Sequence, residues 1–140
     1  MIKLKPYSAS ILAFGGFLLL AMGVYFMFIR PPLLPEDLRY MKITLPMEQD
    51  KMQGLQMWLG KVFWVMGGYV FTTGLLTIFI AFTSFRTRTS GTYGIVLISG
   101  FSSIVSMTVV NFMIGSDFKW VLLTFTLPWI IALILYRLHK

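Results

Sequence analysis

The chain has no cysteine and one histidine, His139, the penultimate residue. Those two shortages exclude disulfides, thiol redox chemistry, thiolate nucleophiles and cysteine-ligated metals; they leave too few histidines for a zinc-protease motif, and for a Ser-His-Asp triad only a histidine outside the apolar runs. Charge is scarce as well: 12% of residues are charged and 57% hydrophobic, where soluble domains carry about 25% charged residues. The acids number five, and four of them, Glu36, Asp37, Glu48 and Asp50, share one segment. None of them, and no histidine, stands deep in an apolar run. An ionisable group at the centre of a bilayer costs about 3 kcal/mol or more, so carriers and intramembrane enzymes normally keep one only at the working site. Its absence argues against a single-chain proton-coupled carrier and against an enzyme, and no residue set calls for a cofactor or metal.

What the sequence has instead is four long apolar runs, at about 9–29, 58–82, 93–114 and 120–136, each close to the ~20 residues a helix needs to cross a bilayer. The first follows Lys3 and Lys5 but is too long for a signal-peptide core and lacks a small-x-small cleavage site, so it reads as an uncleaved span. It stops at Arg30-Pro31-Pro32, where prolines remove amide donors. Only Gly115 to Lys119 separates the last two runs, which dictates an antiparallel hairpin. Pro128 should kink the fourth span, with the Thr124 hydroxyl one turn earlier at hand for the freed carbonyl. The fold class is therefore all-α, an integral membrane four-helix bundle in one domain, 1–140, with a helical extracytoplasmic loop at 30–56.

In the second span Gly60, Gly67, Gly74 and Ala81 recur every seven residues, and Ala9, Gly16 and Gly23 do the same in the first. A seven-residue step returns to nearly the same helix face, so each set makes a groove where another backbone can come close. The pattern predicts antiparallel packing of spans one and two through these two stripes. In the loop, Pro35 followed by Glu36 and Asp37 is a helix start, with a short helix expected through about Met41. A second start falls at Thr44-Leu45-Pro46, leading through Met47, Met52, Leu55 and Leu59 into span two as an amphipathic stem that Gly54 is placed to interrupt.

The net charge of +7 comes from Lys and Arg that flank the runs rather than from a basic patch interleaved with aromatics. The partner is therefore the lipid bilayer and not nucleic acid. Lys3, Lys5, Arg86, Arg88, Arg137 and Lys140 lie on one side with no acid, while Arg30, Arg39, Lys42, Lys51, Lys61 and Lys119 share the other with all five acids over a longer segment. Basic density then places both termini in the cytoplasm.

Two polar groupings are candidate sites. Ser99, Ser102, Ser103 and Ser106 cover an arc of about 100° on span three, as helix-packing hydroxyls or as the lining of a small cavity. Asn111, Asp117, Lys119 and Lys61 reach the outer level of the membrane together and form a candidate polar cluster in which a carboxylate-to-lysine pair is expected, either as a clamp on the loop or as a binding site.

Arg30-Pro31-Pro32-Leu33-Leu34-Pro35-Glu36-Asp37-Leu38-Arg39-Tyr40, Val65-Met66-Gly67-Gly68, Thr73-Gly74-Leu75-Leu76, Asn111 and Ser116-Asp117-Phe118-Lys119-Trp120 give residues 24–136 a further context. In these segments the chain resembles a family of small uncharacterised bacterial proteins with four membrane spans. The resemblance implies that fold and an inner (plasma) membrane location, and no activity. The expected role is that of a non-enzymatic membrane protein that packs with itself or with a membrane protein partner as an accessory or structural subunit. The alternative is a binder or carrier of a lipid or other hydrophobic small molecule.

Overall fold

The structure is a computed structural model that describes residues 7–42 and 49–138, and among these every regular element is a helix. The helices are α1 (Tyr7–Phe28), α2 (Pro35–Met41), α3 (Gln49–Ile80), α4 (Thr92–Gly100), α5 (Ser106–Met113) and α6 (Lys119–Leu138). A π-helical turn, Ala81–Phe85, extends α3, and a second, Phe101–Val105, joins α4 to α5. Four continuous helices result, Tyr7–Phe28, Gln49–Phe85, Thr92–Met113 and Lys119–Leu138, each long and apolar enough to cross a membrane. Helix α3 is helical from Gln49, ahead of position 58, as the expected stem requires, but Gly54 does not interrupt it: the helix runs through that residue without a break. The expected cap Thr44, with Pro46 and Met47, lies outside the described residues, as do Lys3, Lys5, Glu48, His139 and Lys140.

Helix α1 is the middle of the assembly. It packs along α3 on one side and along α6 on the other, and α6 packs on α4, the second π turn and α5. The packing order is thus span two, span one, span four, span three. The hairpin of spans three and four is held partly by Thr108, whose hydroxyl donates to the carbonyls of Ile104 and Leu122. Spans two and three meet chiefly near the first π turn, where Ala81 and Phe85 are buried with Leu12, Val96 and Ala132. Away from that end, α3 packs chiefly on α1.

The α1–α3 seam is built from glycine. A Cβ placed on Gly74 would lie 2.5 Å from the amide nitrogen of Leu20 and 2.6 Å from the carbonyl of Gly16; one on Gly23 would lie 2.5 Å from the nitrogen of Phe71; one on Gly67 would meet the carbonyl of Gly23 at 2.8 Å. The two backbones are therefore in direct contact, in an antiparallel register that pairs Gly16 with Gly74 and Gly23 with Gly67. Ala9 and Ala81 are buried where α1 meets the π turn. Gly60 departs from the expected stripe: α1 has already ended at Phe28, and the nearest atom to a Cβ there is Cγ of Pro32 at 3.7 Å.

Two more glycines make room for Trp129, the largest buried residue of α6. Added Cβ atoms on Gly15 and Gly100 would lie 3.0 and 2.6 Å from its ring, so the indole is held between span one and span three. Pro128 beside it is accommodated within α6. Thr124 does not serve the carbonyl freed by that proline; its hydroxyl donates to Val121 at 2.7 Å, because a side chain reaches the previous turn and not its own carbonyl.

Glycine at the seam and glycine in open space should respond oppositely to a methyl group. Gly74→Ala forces backbones apart and is expected to destabilise by about 1–3 kcal/mol. Gly94→Ala, where nothing lies within 4 Å, should be neutral or stabilising by up to about 1 kcal/mol through helix propensity. Thermal unfolding of the two variants in mild detergent checks the contrast.

Candidate functional site

The densest polar constellation lies where α2 crosses between the end of α1 and the α5–α6 turn, and its centre is Glu36. The turn is prepared by the chain itself. Gly115 takes φ 67°, its N–H donates to Phe112 at 3.2 Å, and the N–H of Ser116 reaches the carbonyl of Asn111 at 2.9 Å. This double bond pattern ends α5 as a Schellman motif, for which glycine is the favoured residue. It turns Ser116 inward, fully buried, and exposes the amides that follow.

Glu36 meets those groups with both oxygens. Its Oε1 accepts from Oγ of Ser116 at 2.8 Å and its Oε2 accepts from the N–H of Asp117 at 2.9 Å. Ser116 Oγ in turn accepts from the N–H of Phe118 at 3.1 Å. A carboxylate only 6% exposed thus has each oxygen engaged by a donor from the opposite hairpin. Hydrogen bonds to a charged acceptor are among the stronger ones, about 1.5–3 kcal/mol each.

The neighbouring acid, Asp37, ties α2 to the first two spans. Its Oδ2 accepts from the N–H of Leu34 at 2.8 Å, closing the first turn of α2, and from Nη2 of Arg30 at 3.0 Å. The Arg30 side chain is only 8% exposed, because its guanidinium lies on the ring of Phe63 in α3, 3.6 Å from the centroid. Ion pair and cation–π contact act on one planar group, the combination for which arginine is suited and lysine is not. Arg39, later in the same short helix, places Nη2 3.0 Å from each carboxylate oxygen of Asp117, in the open. Lys42 ends α2 in the left-handed conformation, φ 54°.

The expected cluster is therefore rearranged. Asp117 does form a salt bridge, but with Arg39 and not with Lys61 or Lys119; this pair and Arg30–Asp37 both use arginine. Asn111 donates from Nδ2 to the carbonyl of Met107 at 2.9 Å, a bond within its own helix, and its carbonyl serves the Schellman turn. Lys61 is exposed on α3 and Lys119 half-buried at the start of α6. The reason is reach: α2 folds back over the α5–α6 turn and delivers Glu36 and Arg39 at closer range than either lysine. Pro35-Glu36-Asp37 announces the helix start, yet its acids act outward to tertiary partners as well as on their own turn.

The serines of span three are engaged by their own helix. Ser99 donates to Val96, Ser102 and Ser103 to Ser99, and Ser106 to Ser102 and Ser103. They surround the π turn Phe101–Val105, where the backbone ladder shifts by one residue and leaves carbonyls short of amide donors. Hydroxyls supply what is missing. Ser102 and Ser106 are exposed, Ser99 and Ser103 half-buried, so the four do not share one buried face. Among the described residues no group of three or more His, Cys, Asp or Glu is positioned to hold a metal ion. Chemically, the arrangement around Glu36 is a clasp: it joins the α1–α3 pair to the α5–α6 hairpin through polar bonds at the ends of the spans.

The two layers of the clasp should separate in mutational cost. Asp117→Asn breaks only an exposed pair, with side chains 62% and 69% accessible, and is expected to cost no more than about 1 kcal/mol. Glu36→Ala strands Ser116 Oγ and the N–H of Asp117, at about 1–3 kcal/mol for each unpartnered group. Equilibrium unfolding in mixed micelles gives the comparison, with Glu36→Ala the larger loss. No protein-family model, curated protein or solved structure matches this chain, so its own residues carry the functional reading.

Proposed function

We propose that this is a non-enzymatic integral membrane protein that acts by helix packing, docking a membrane helix of a second copy or of a partner protein on the outward face of α3. The carrying observation is that α3 is packed on one side only. Its inward face, Gly67, Gly74 and Thr77, is buried against α1. On the other side a Cβ added to Gly68 would have nothing within 4 Å, and Trp64, Val65, Tyr69, Leu75 and Leu76 around it are more than half exposed. A glycine in open space between large side chains is a notch that fits a neighbouring helix, and in lipid such close contact is what drives association. The same protein has already used glycine in this way along the α1–α3 seam.

In this reading the chain lies in a bacterial inner (plasma) membrane as a four-helix assembly, with residues 30–56 outside and both termini cytoplasmic. Support for the orientation comes from Arg86, Arg88 and Arg137, which stand at one end without an acid, while Glu36, Asp37 and Asp117 accompany the bases of the other. The α2 clasp then faces outward and fixes the extracytoplasmic loop against the bundle as a recognition surface.

Gly68→Leu fills the notch without touching the seam. It should leave the unfolding temperature unchanged and weaken association by about tenfold or more, the loss expected for about 1.4 kcal/mol of packing. Light scattering in mild detergent and cross-linking through Thr72→Cys, in a chain that has no other cysteine, measure it. A wild-type chain that is monomeric and brings down no membrane protein would refute the reading. For orientation, single cysteines at Gln49 and Ser90 should be labelled in intact cells at Gln49 and not at Ser90 by an impermeant reagent.

A further inference from the structure

The opposite end of the molecule carries charge in a different way. Residues Arg86 to Gly91 link the first π turn to α4, and α6 ends beside them. Arg88 is held in the left-handed conformation, φ 58°, a region in which long side chains are uncommon. Its guanidinium lies 4.6 Å from the ring centroid of Tyr136, and that of Arg137 lies 5.0 Å from Tyr93. The two tyrosines are themselves neighbours, 5.7 Å apart, and Phe85 packs on Tyr136 at 4.5 Å. Two cations are thus mounted on adjoining rings at the place where spans two, three and four converge.

No carboxylate of the link or of the end of α6 balances them, since neither segment contains an Asp or Glu. The pairs Arg30–Asp37 and Arg39–Asp117 both belong to the α2 end. Nη2 of Arg88 is shielded from solvent and has no hydrogen-bond partner. Helix α4 opens at Gly91, which has no side chain to cap it, so the positive end of that helix adds to the same field. An unpaired buried donor on a charged group is costly unless an anion completes the site.

We propose that Arg88 and Arg137, mounted on Tyr136 and Tyr93, form a binding site for a phosphate group of the kind carried by an anionic phospholipid. A guanidinium offers a planar fork that matches two phosphate oxygens, and contact with an aromatic ring restricts the orientation of that fork beforehand. The position at a span boundary, between helices, is where basic pockets take lipid headgroups. A phosphate oxygen beside Tyr136 supplies the partner that Nη2 of Arg88 lacks. The site stands apart from the α3 notch and does not depend on it.

The test compares three proteins in nanodiscs: wild type, Arg88→Asn with Arg137→Gln, and Arg86→Gln. Asparagine tolerates positive φ, so the turn is kept while the charge is removed; Arg86 is exposed and outside the cluster, so it controls for diffuse charge. The readouts are phosphatidylglycerol retained against phosphatidylcholine by native mass spectrometry, and the rise in unfolding temperature with phosphatidylglycerol or with inorganic phosphate at matched ionic strength. Wild type and Arg86→Gln should prefer phosphatidylglycerol, and the double variant should lose about tenfold or more of that preference, as befits one or two charge-assisted bonds. Stabilisation by phosphatidylglycerol alone assigns the phosphate to lipid, and stabilisation by inorganic phosphate alone overturns the lipid assignment in favour of a soluble anion. Equal retention by wild type and double variant, or an equal loss in Arg86→Gln, overturns the site. Should the double variant fail to fold, Arg137→Gln alone, at an exposed position, gives the same decision.

Discussion

Everything in this molecule depends on the direct contact of two backbones, α1 and α3, at Gly16, Gly23, Gly67 and Gly74. In water, apolar side chains would drive the two helices together; in a bilayer the lipid tails are equally apolar, so that driving force vanishes and dense van der Waals packing must replace it. Removing side chains at the seam lets main chains approach to contact distance and adds many weak attractions over a long interface. α1 can then offer its other face to α6, where Gly15 admits the edge of Trp129. The glycines decide the packing order because they are the places where helices can come so close.

The polar clasp answers a different need. Seam packing fixes α1 against α3 but does little to tie that pair to the α5–α6 turn, at an end of the molecule where α3 packs chiefly on α1. Glu36 closes that gap by replacing water at Ser116 and Asp117, while Arg30 anchors the helix that carries Glu36 onto Phe63. Glu36 and Asp37 each have two partners, so α2 is specified in position although only seven residues long. A short helix of that length has little stability of its own. Its tertiary bonds hold it.

Much of this is legible in the sequence, and the rest is not for identifiable reasons. Four helices long enough to span follow from run length alone, and the heptad glycines name the faces on which α1 and α3 meet, because the period belongs to the helix itself; which glycine meets which is set only by the fold. Gly60 misleads since periodicity cannot say where the partner helix stops. The second π turn leaves a mark only in retrospect, as the serines that serve the carbonyls around it. Membrane depth points Asp117 toward lysines, whereas Arg39 wins because α2 folds back over the turn, a long-range fact that no local pattern encodes. For Glu36 the local pattern shows a favourable first-turn charge, which is correct for its helix and incomplete for its tertiary role.

The two ends of the molecule treat arginine in opposite ways, and the difference bears on how the chain would sit in its membrane. At the α2 end Arg30 is paired with Asp37 inside the fold and Arg39 with Asp117 in the open. At the other end Arg88 and Arg137 rest on tyrosine rings, which attract a cation without cancelling its charge. A positive charge left uncancelled can act on its surroundings, whereas a paired one mostly cannot. Counting Lys and Arg alone gives six on each side of the expected topology, and Arg88 and Arg137 belong to the side without an acid. That asymmetry of the folded chain is what the proposed orientation would use, with the end of α6 at an anionic cytoplasmic leaflet.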